Sequence, residues 1–116
     1  MDYTTILPAK AIYTYEDYAK LPEMAPYQLI GGQLIYTPSR NPYHQEVSQN
    51  LMLKIRQFAV IDNKLGKVLL GPIDLYFEET ETFIPDIIFI SWERNHIIGE
   101  EKIEGAPDIV FEVLSP

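Results

Sequence analysis

Two Pro-Asp steps, each opening a short apolar run, constrain this chain more than any other feature. The first is Phe83-Ile84-Pro85-Asp86-Ile87-Ile88-Phe89-Ile90-Ser91. Its near-copy is Ala106-Pro107-Asp108-Ile109-Val110-Phe111-Glu112-Val113-Leu114-Ser115. Runs rich in β-branched and aromatic residues, bounded by turn formers, read as buried strands. The first carries a carboxylate, Asp86, at its mouth; the second carries one, Glu112, in its middle. A carboxylate inside an apolar strand is costly unless something pairs with it, which makes Glu112 the most informative single residue.

The rest of the chain supplies a frame for these strands. Residues 1–12 read as a loose leader. Tyr13 to Leu21 reads as a short helix with Thr14 as N-cap and Glu16 and Asp17 in the first turn. Pro22 stops it, and Tyr15, Tyr18 and Leu21 share its inner face. Tyr27 to Tyr36 reads as a β-hairpin turning at Gly31-Gly32, where glycine accepts the positive φ a two-residue turn needs; Pro38 ends it. Asn41 and Pro42 open the one long helix, as cap and first residue. Tyr43, Val47, Leu51, Ile55 and Phe58 form its apolar stripe, running to about Asp62. His44, in the first turn, reads as a polar or packing residue, with a ligand or catalytic role as the alternative. Lys67 to Phe77 reads as a strand bent at Gly71-Pro72. Trp92 to Gly105 reads as a polar connection anchored by Ile97-Ile98. This order predicts a mixed sheet with the long helix against one face.

Length and charge narrow the function classes. The 116 residues suffice for one modest core. No run approaches the ~20 apolar residues of a membrane span, the start lacks a signal-peptide layout, and the absence of cysteine excludes disulfides and thiolate metal sites. A cytoplasmic protein is the simplest expectation. The net charge is −8, and from Asp74 onward eleven acidic residues face only Arg94 and Lys102. That is a poor match to a phosphate backbone, so a nucleic-acid role requires a local basic patch or a metal. A solvated acidic face accounts for most of the exposed glutamates.

If the two Pro-Asp strands are neighbours, Asp86 and Glu112 converge at one end of the sheet. Converging carboxylates repel unless one keeps its proton or a cation lies between them. A hard cation such as Mg²⁺ takes oxygen ligands, commonly one or two carboxylates plus waters. The structural alternative has Asp86 capping a turn and Glu112 bonded to backbone or to a tyrosine.

The string Tyr27-Gln28-Leu29-Ile30-Gly31-Gly32-Gln33-Leu34, the helix from Pro42-Tyr43-His44, Gly71-Pro72-Ile73-Asp74-Leu75, Pro85 to Ser91, and Gly105 to Pro116 together resemble the Uma family. That family belongs to the PD-(D/E)xK, restriction-endonuclease-like superfamily of prokaryotic nucleases. The resemblance implies an α/β (α+β) fold with a mixed central sheet flanked by helices, spanning 13–116 as a single endonuclease-like domain. It implies a metal-dependent endonuclease acting on nucleic acid, DNA above all, with Mg²⁺ (or Mn²⁺ as substitute) held by Asp86 and Glu112. Gln28 and Gln33 stand where the family usually has glutamate, so Gln28 enters the site as a neutral third residue. The motif lysine position is Leu114, and the family's own lysine is expected on a helix beyond Ser115-Pro116. The resemblance therefore implies impaired activity, a fold incomplete at its C-terminal side and an unpaired sheet edge that favours a homodimer. A non-catalytic dimeric scaffold is the rival expectation.

Overall fold

The structure, a computed structural model, describes residues 7–37 and 40–114. The first six residues, Pro38 as the expected end of the hairpin, and the closing Ser115-Pro116 lie outside the described residues. In chain order the elements are helix α1 (Tyr15–Tyr18), strands β1 (Tyr27–Ile30) and β2 (Gln33–Tyr36), and helix α2 (Pro42–Ile55) with a π-helical continuation (Arg56–Asp62). Strands β3 (Gly66–Leu70), β4 (Leu75–Glu78), β5 (Glu81–Phe83) and β6 (Ile87–Ser91) follow. A 3₁₀ segment (Trp92–Ile97), β7 (Ile103–Glu104) and β8 (Ile109–Phe111) complete the series. The chain divides into two compact units: Met1–Ser39 with Tyr76–Phe83, and Arg40–Leu75 with Ile84–Pro116.

In the first unit, Gly31 and Gly32 adopt φ of 57° and 75°, and the hairpin pairs Tyr27 with Tyr36 through Ile30 with Gln33. Positive φ at both turn residues matches the twist of the strands and is accessible to glycine at little cost. Gly32 is doubly constrained, because a Cβ there would meet the Ile12 side chain at 2.6 Å. Both carboxylate oxygens of Glu81 accept the Gly31 N–H at 2.7 Å, and β5 pairs with β1 at Leu29–Thr82. The predicted helix is present but short. Beyond Tyr18 the chain tightens into Lys20-to-Asp17 and Leu21-to-Tyr18 bonds, the 3₁₀ pattern common at helix ends. Tyr18 and Leu21 are buried with Leu7, Tyr27 and Leu29, and Tyr15 packs against them. Leu7 and Lys10, from the stretch read as a leader, are tied in: Leu7 lies in this core and Lys10 pairs with Asp17 at 2.7 Å.

The second unit is built on β6. Ile87 to Ile90 are all buried, as expected of a strand with neighbours on both edges and apolar cover. It pairs antiparallel with β3, from Gly66–Ser91 to Leu70–Ile87, and with β8, from Ile87–Phe111 to Phe89–Ile109. Ile88 and Ile90 pack with Leu75, Ile97 and Ile103 into its core. Ile103 is fully buried and stands with Ile97 as an anchor of the connection that the sequence assigned to Ile97-Ile98 alone. The strand expected over residues 67–77 is in fact two, β3 and β4. They part at the cis Gly71–Pro72 bond, where the Gly71 N–H turns to the Asp86 carbonyl at 2.8 Å.

Two expectations are corrected here. The apolar stripe of α2 is not its buried face: Tyr43 and Phe58 are 61% and 64% exposed, Val47, Leu51 and Ile55 are half-buried, and His44 and Ser48 are the buried positions of α2. The helix spends its inner first turn on a polar contact. Its apolar flank instead opens on a groove of about 330 Å³ lined by Ile55, Phe58, Ala59, Leu65, Phe89 and Phe111. Second, Glu112 is not in the middle of a buried strand. β8 ends at Phe111, and Glu112 lies one residue beyond it, exposed.

Candidate functional site

The antiparallel register of β6 and β8 sets the site. One step beyond the Ile87–Phe111 pair, the same register sets Glu112 across from Asp86, so the convergence expected of the two Pro-Asp strands is present. The near-copies have nonetheless diverged. Asp108 plays the turn-capping part: its Oδ2 accepts the Ser91 N–H at 2.6 Å, and Arg94 lies 3.4 Å from its Oδ1. The Ser91 N–H is the chief reason its carboxyl lies below the usual range.

Asp86 is a hub. Its side chain is only 4% exposed. Oδ1 accepts Arg40 Nε–H at 2.9 Å. Oδ2 accepts the Val113 N–H at 2.7 Å and faces His44 Nε2 at 3.2 Å. An ionised carboxylate only accepts, so Nε2 carries the proton in that contact, and Nδ1 meets Gln45 Oε1 at 3.0 Å. Burial pushes the Asp86 carboxyl up, but the Val113 N–H, then Arg40 and His44, outweigh it and hold the group below the usual aspartate range. Glu112 moves the other way. Desolvation is the largest cause, followed by the charge of Asp86; a hydrogen bond between the two carboxyls adds to it, while Arg40 and His44 oppose. Across the pair, Asp86 gives up its proton more readily than an ordinary aspartate, and Glu112 holds its proton more tightly than an ordinary glutamate.

Local sequence explains how each partner arrives. Asn41 Oδ1 caps α2 by accepting the His44 N–H at 2.8 Å, which fixes the first turn and so aims the imidazole. Arg40 sits immediately before that cap, with Nη2 reaching the Ile84 carbonyl at 3.4 Å. Val113 follows β8 directly. Asp86 and Glu112 were read from sequence; Arg40 was missed, and His44 was given a mainly packing part. The available signal was a basic residue and a histidine flanking an Asn-Pro helix start, but no spacing rule links positions 40 and 44 to 86. Gln28 belongs to the other unit, on β1, where its amide donates to Thr37 Oγ1 at 3.3 Å.

The donor set can be tested against a divalent cation. A carboxylate offers about four lone-pair positions. On Asp86 three are taken by nitrogen donors, one on Oδ1 and two on Oδ2. Among the described residues no group of three His, Cys, Asp or Glu side chains is disposed to hold a metal. As arranged, the residues do not fit a Mg²⁺ ion.

Residues 15–116 match the Uma2 family model, whose description reads "Putative restriction endonuclease". The chain belongs to this family. The Uma2 assignment agrees with the fold: a crystal structure of "a putative nuclease belonging to DUF820 from Anabaena variabilis ATCC 29413" superposes with a TM-score of 0.71 at 25% identity, over 89% of this chain and 59% of that one. This chain therefore spans under two thirds of that relative. No curated protein matches it. The α+β nuclease-like architecture is that of the resemblance. No helix among the described residues is long and apolar enough to cross a membrane.

Proposed function

We propose that this Uma2 chain is an endonuclease-type domain that hydrolyses phosphodiester bonds of nucleic acid, DNA first, with the Asp86–Glu112 pair at its centre. The observation that carries the reading is the convergence of these two carboxyls across β6 and β8, with opposite shifts in proton affinity. Groups whose environments push their titration apart are the usual substrate of acid–base and metal chemistry. In the family reading the cofactor is Mg²⁺ or Mn²⁺, with Asp86 and Glu112 as ligands. The arrangement present leaves that ion no place, so no step is routed through it. The chain's own residues do three things: Arg40 and the Val113 N–H favour the ionised form of Asp86, His44 fixes one of its oxygens, and Glu112 stands across from it with raised proton affinity. Gln28 in place of the family's glutamate supports impaired turnover.

The test is cleavage of supercoiled plasmid DNA in Mg²⁺ or Mn²⁺, with single-stranded RNA in parallel. Slow DNA cleavage is expected, falling ~10²-fold in Asp86→Asn and in Glu112→Gln, as removal of a charged group at a reacting centre commonly does. Cleavage untouched by either substitution would remove the assignment.

A second reading, a non-catalytic homodimeric scaffold, draws on a separate observation. β8 is an edge of its sheet among the described residues, Ile109 and Val110 are 48% and 45% exposed, and the apolar groove beside α2 adjoins them. Unprotected edges pair with other chains. A concentration-independent monomer in sedimentation would exclude it.

A further inference from the structure

We propose that the end of α2, its π-helical continuation and the turn into β3 form a contact surface for single-stranded nucleic acid, with phosphates on Lys54 and Lys64 and bases against Phe58 and Trp92. The proposal rests on the reading above in taking nucleic acid as the ligand, but it concerns binding alone and needs nothing from Asp86 or Glu112.

The charge of this chain is unevenly placed. Residues 54–67 carry Lys54, Arg56, Lys64 and Lys67 against Asp62 alone, a net of +3 in a chain of −8. All four cations are exposed. Elsewhere Lys10, Arg40, Arg94 and Lys102 each pair with a carboxylate, whereas among the described residues no ion pair involves these four. Asp62 accepts an N–H from Gln57 at 2.9 Å, and Glu93, next to Trp92, is the other acid of this neighbourhood in sequence. Salt screens charge beyond about 8 Å under physiological conditions. A phosphate backbone arriving here therefore meets the local excess of cations more than the net charge of the chain.

The fold adds aromatic faces to these cations. The Trp92 indole N–H donates to the Lys64 carbonyl at 2.9 Å, and the Trp92 backbone N–H to that of Leu65 at 3.2 Å. A ring 28 residues away in sequence is thus held against the basic turn while remaining 51% exposed. Leu65 in turn lines the apolar groove together with Phe58 and Lys54. That lining is apolar, so Lys54 contributes its stem and keeps its ammonium in water. The middle of the surface is the π-helical stretch Arg56–Asp62, a backbone form that is uncommon and frequent at functional sites. Cations interleaved with exposed rings are what single strands require: the charges follow the backbone, and the rings stack with bases of any sequence. A second copy of this chain fits less well, because its approach would bring unpaired lysines together.

The experiment is titration of a fluorescein-labelled oligothymidylate with the full chain, followed by anisotropy in EDTA over a range of salt. A parallel titration with unlabelled oligonucleotide follows emission from Trp92, the sole tryptophan. The expected result is salt-sensitive binding with Trp92 quenched at the same midpoint. Lys54→Gln combined with Lys64→Gln weakens binding and makes the logarithmic salt slope shallower by about 0.7 per cation removed. Phe58→Ser weakens it ~5-fold or more, the loss of one stacked base. Lys20→Gln, at an exposed cation of the other unit, leaves affinity unchanged. Lys54, Lys64 and Phe58 are exposed, so these variants keep the fold. Equal affinity in wild type and the double lysine variant would overturn the proposal. So would binding with no change in Trp92 emission, or equal binding of polyglutamate. No binding, together with a dimer that Phe58→Ser dissociates, would give the groove to a second copy and overturn it too. Plasmid cleavage that needs Asp86 and Glu112 but not these residues would overturn this surface alone. Oligonucleotide binding as expected, with cleavage untouched by either carboxyl substitution, would support the surface and remove only the reading of the Asp86–Glu112 pair.

Discussion

Among the described residues each unit of this protein buries one aspartate, and the two are held in opposite ways. Asp17, in the first unit, is 2% exposed. Its partners lie within seven residues: Lys10 Nζ at 2.7 Å and the Thr14 N–H at 3.0 Å, the return bond of a capping box. Asp86, in the second, draws Arg40, His44 and Val113 from 46, 42 and 27 residues away. A local aspartate can be satisfied as soon as its helix turn forms. A long-range one is satisfied only after the whole unit has folded, and it gathers reactive groups while doing so. The difference separates an aspartate that starts a helix from one that assembles a site.

The largest test of this contrast is deletion of each carboxylate. Asp86→Ala leaves buried His44 and half-buried Arg40 without their common acceptor and should cost about 3 kcal/mol in urea unfolding, the lower end for breaking a buried pair. Asp17→Ala should cost clearly less, because Lys10 is already 42% exposed and returns to water. Equal losses would break the comparison. Asn41→Ala removes the cap that aims His44 and should cost about 1 kcal/mol. Chemical-shift changes confined to the ring of His44 and to Asp86 would sharpen the link between helix start and site.

Smaller effects come from two hydroxyls. Ser48 Oγ in the second unit and Thr82 Oγ1 in the first are buried without a hydrogen-bond partner. Ser48→Ala and Thr82→Val should raise the melting temperature, each by up to about 1 kcal/mol of stability. A loss in either would mean that the hydroxyl has a partner in solution.

The smallest expected effect is on the pH profile. Asp17 and Asp86 titrate below their ordinary 3.8, so their stabilisation is complete above that pH and is lost as pH falls through their lowered values. Glu112 titrates above its ordinary 4.5. Its ionisation disfavours the fold at neutral pH, and that cost disappears as pH falls through its raised value. Stability should therefore rise from neutrality towards the glutamate range, then fall below 3.8. Glu112→Gln should flatten the rise and leave the fall. The amplitude is small because Glu112 is exposed and screened.

Where partners were close in sequence, the structure was legible in advance. The Gly31-Gly32 hairpin, the Thr14 start of α1 and the Asn41-Pro42 start of α2 all follow from local rules, whereas the adjacency of the two Pro-Asp strands entered only as a condition and is met by the β6–β8 pairing. The face of α2 did not, since an apolar stripe reports which side could be buried, and the site claimed the side bearing His44 and Ser48. Glu112 was placed correctly beside Asp86 and wrongly inside the strand, because an apolar run does not show where pairing stops. Arg40 had only its place before the Asn41-Pro42 helix start as a signal, and nothing local tied it to Asp86. Its role is set by a residue 46 positions on.

The β6–β8 pair is pinned at both ends. The Val113 N–H holds Asp86 at one end, and Asp108 holds the Ser91 N–H at the other. For a lineage accumulating insertions and deletions, this divides the chain sharply. The exposed Glu100-Glu101 turn, between the buried Ile97 and Ile103, can lengthen while both clamps still close. One residue gained or lost within β8 inverts the facing of everything after it and carries Glu112 and the Val113 N–H away from Asp86 together. Length variation among relatives should thus gather between the clamps, and the six residues from Asp108 to Val113 should behave as one indivisible word.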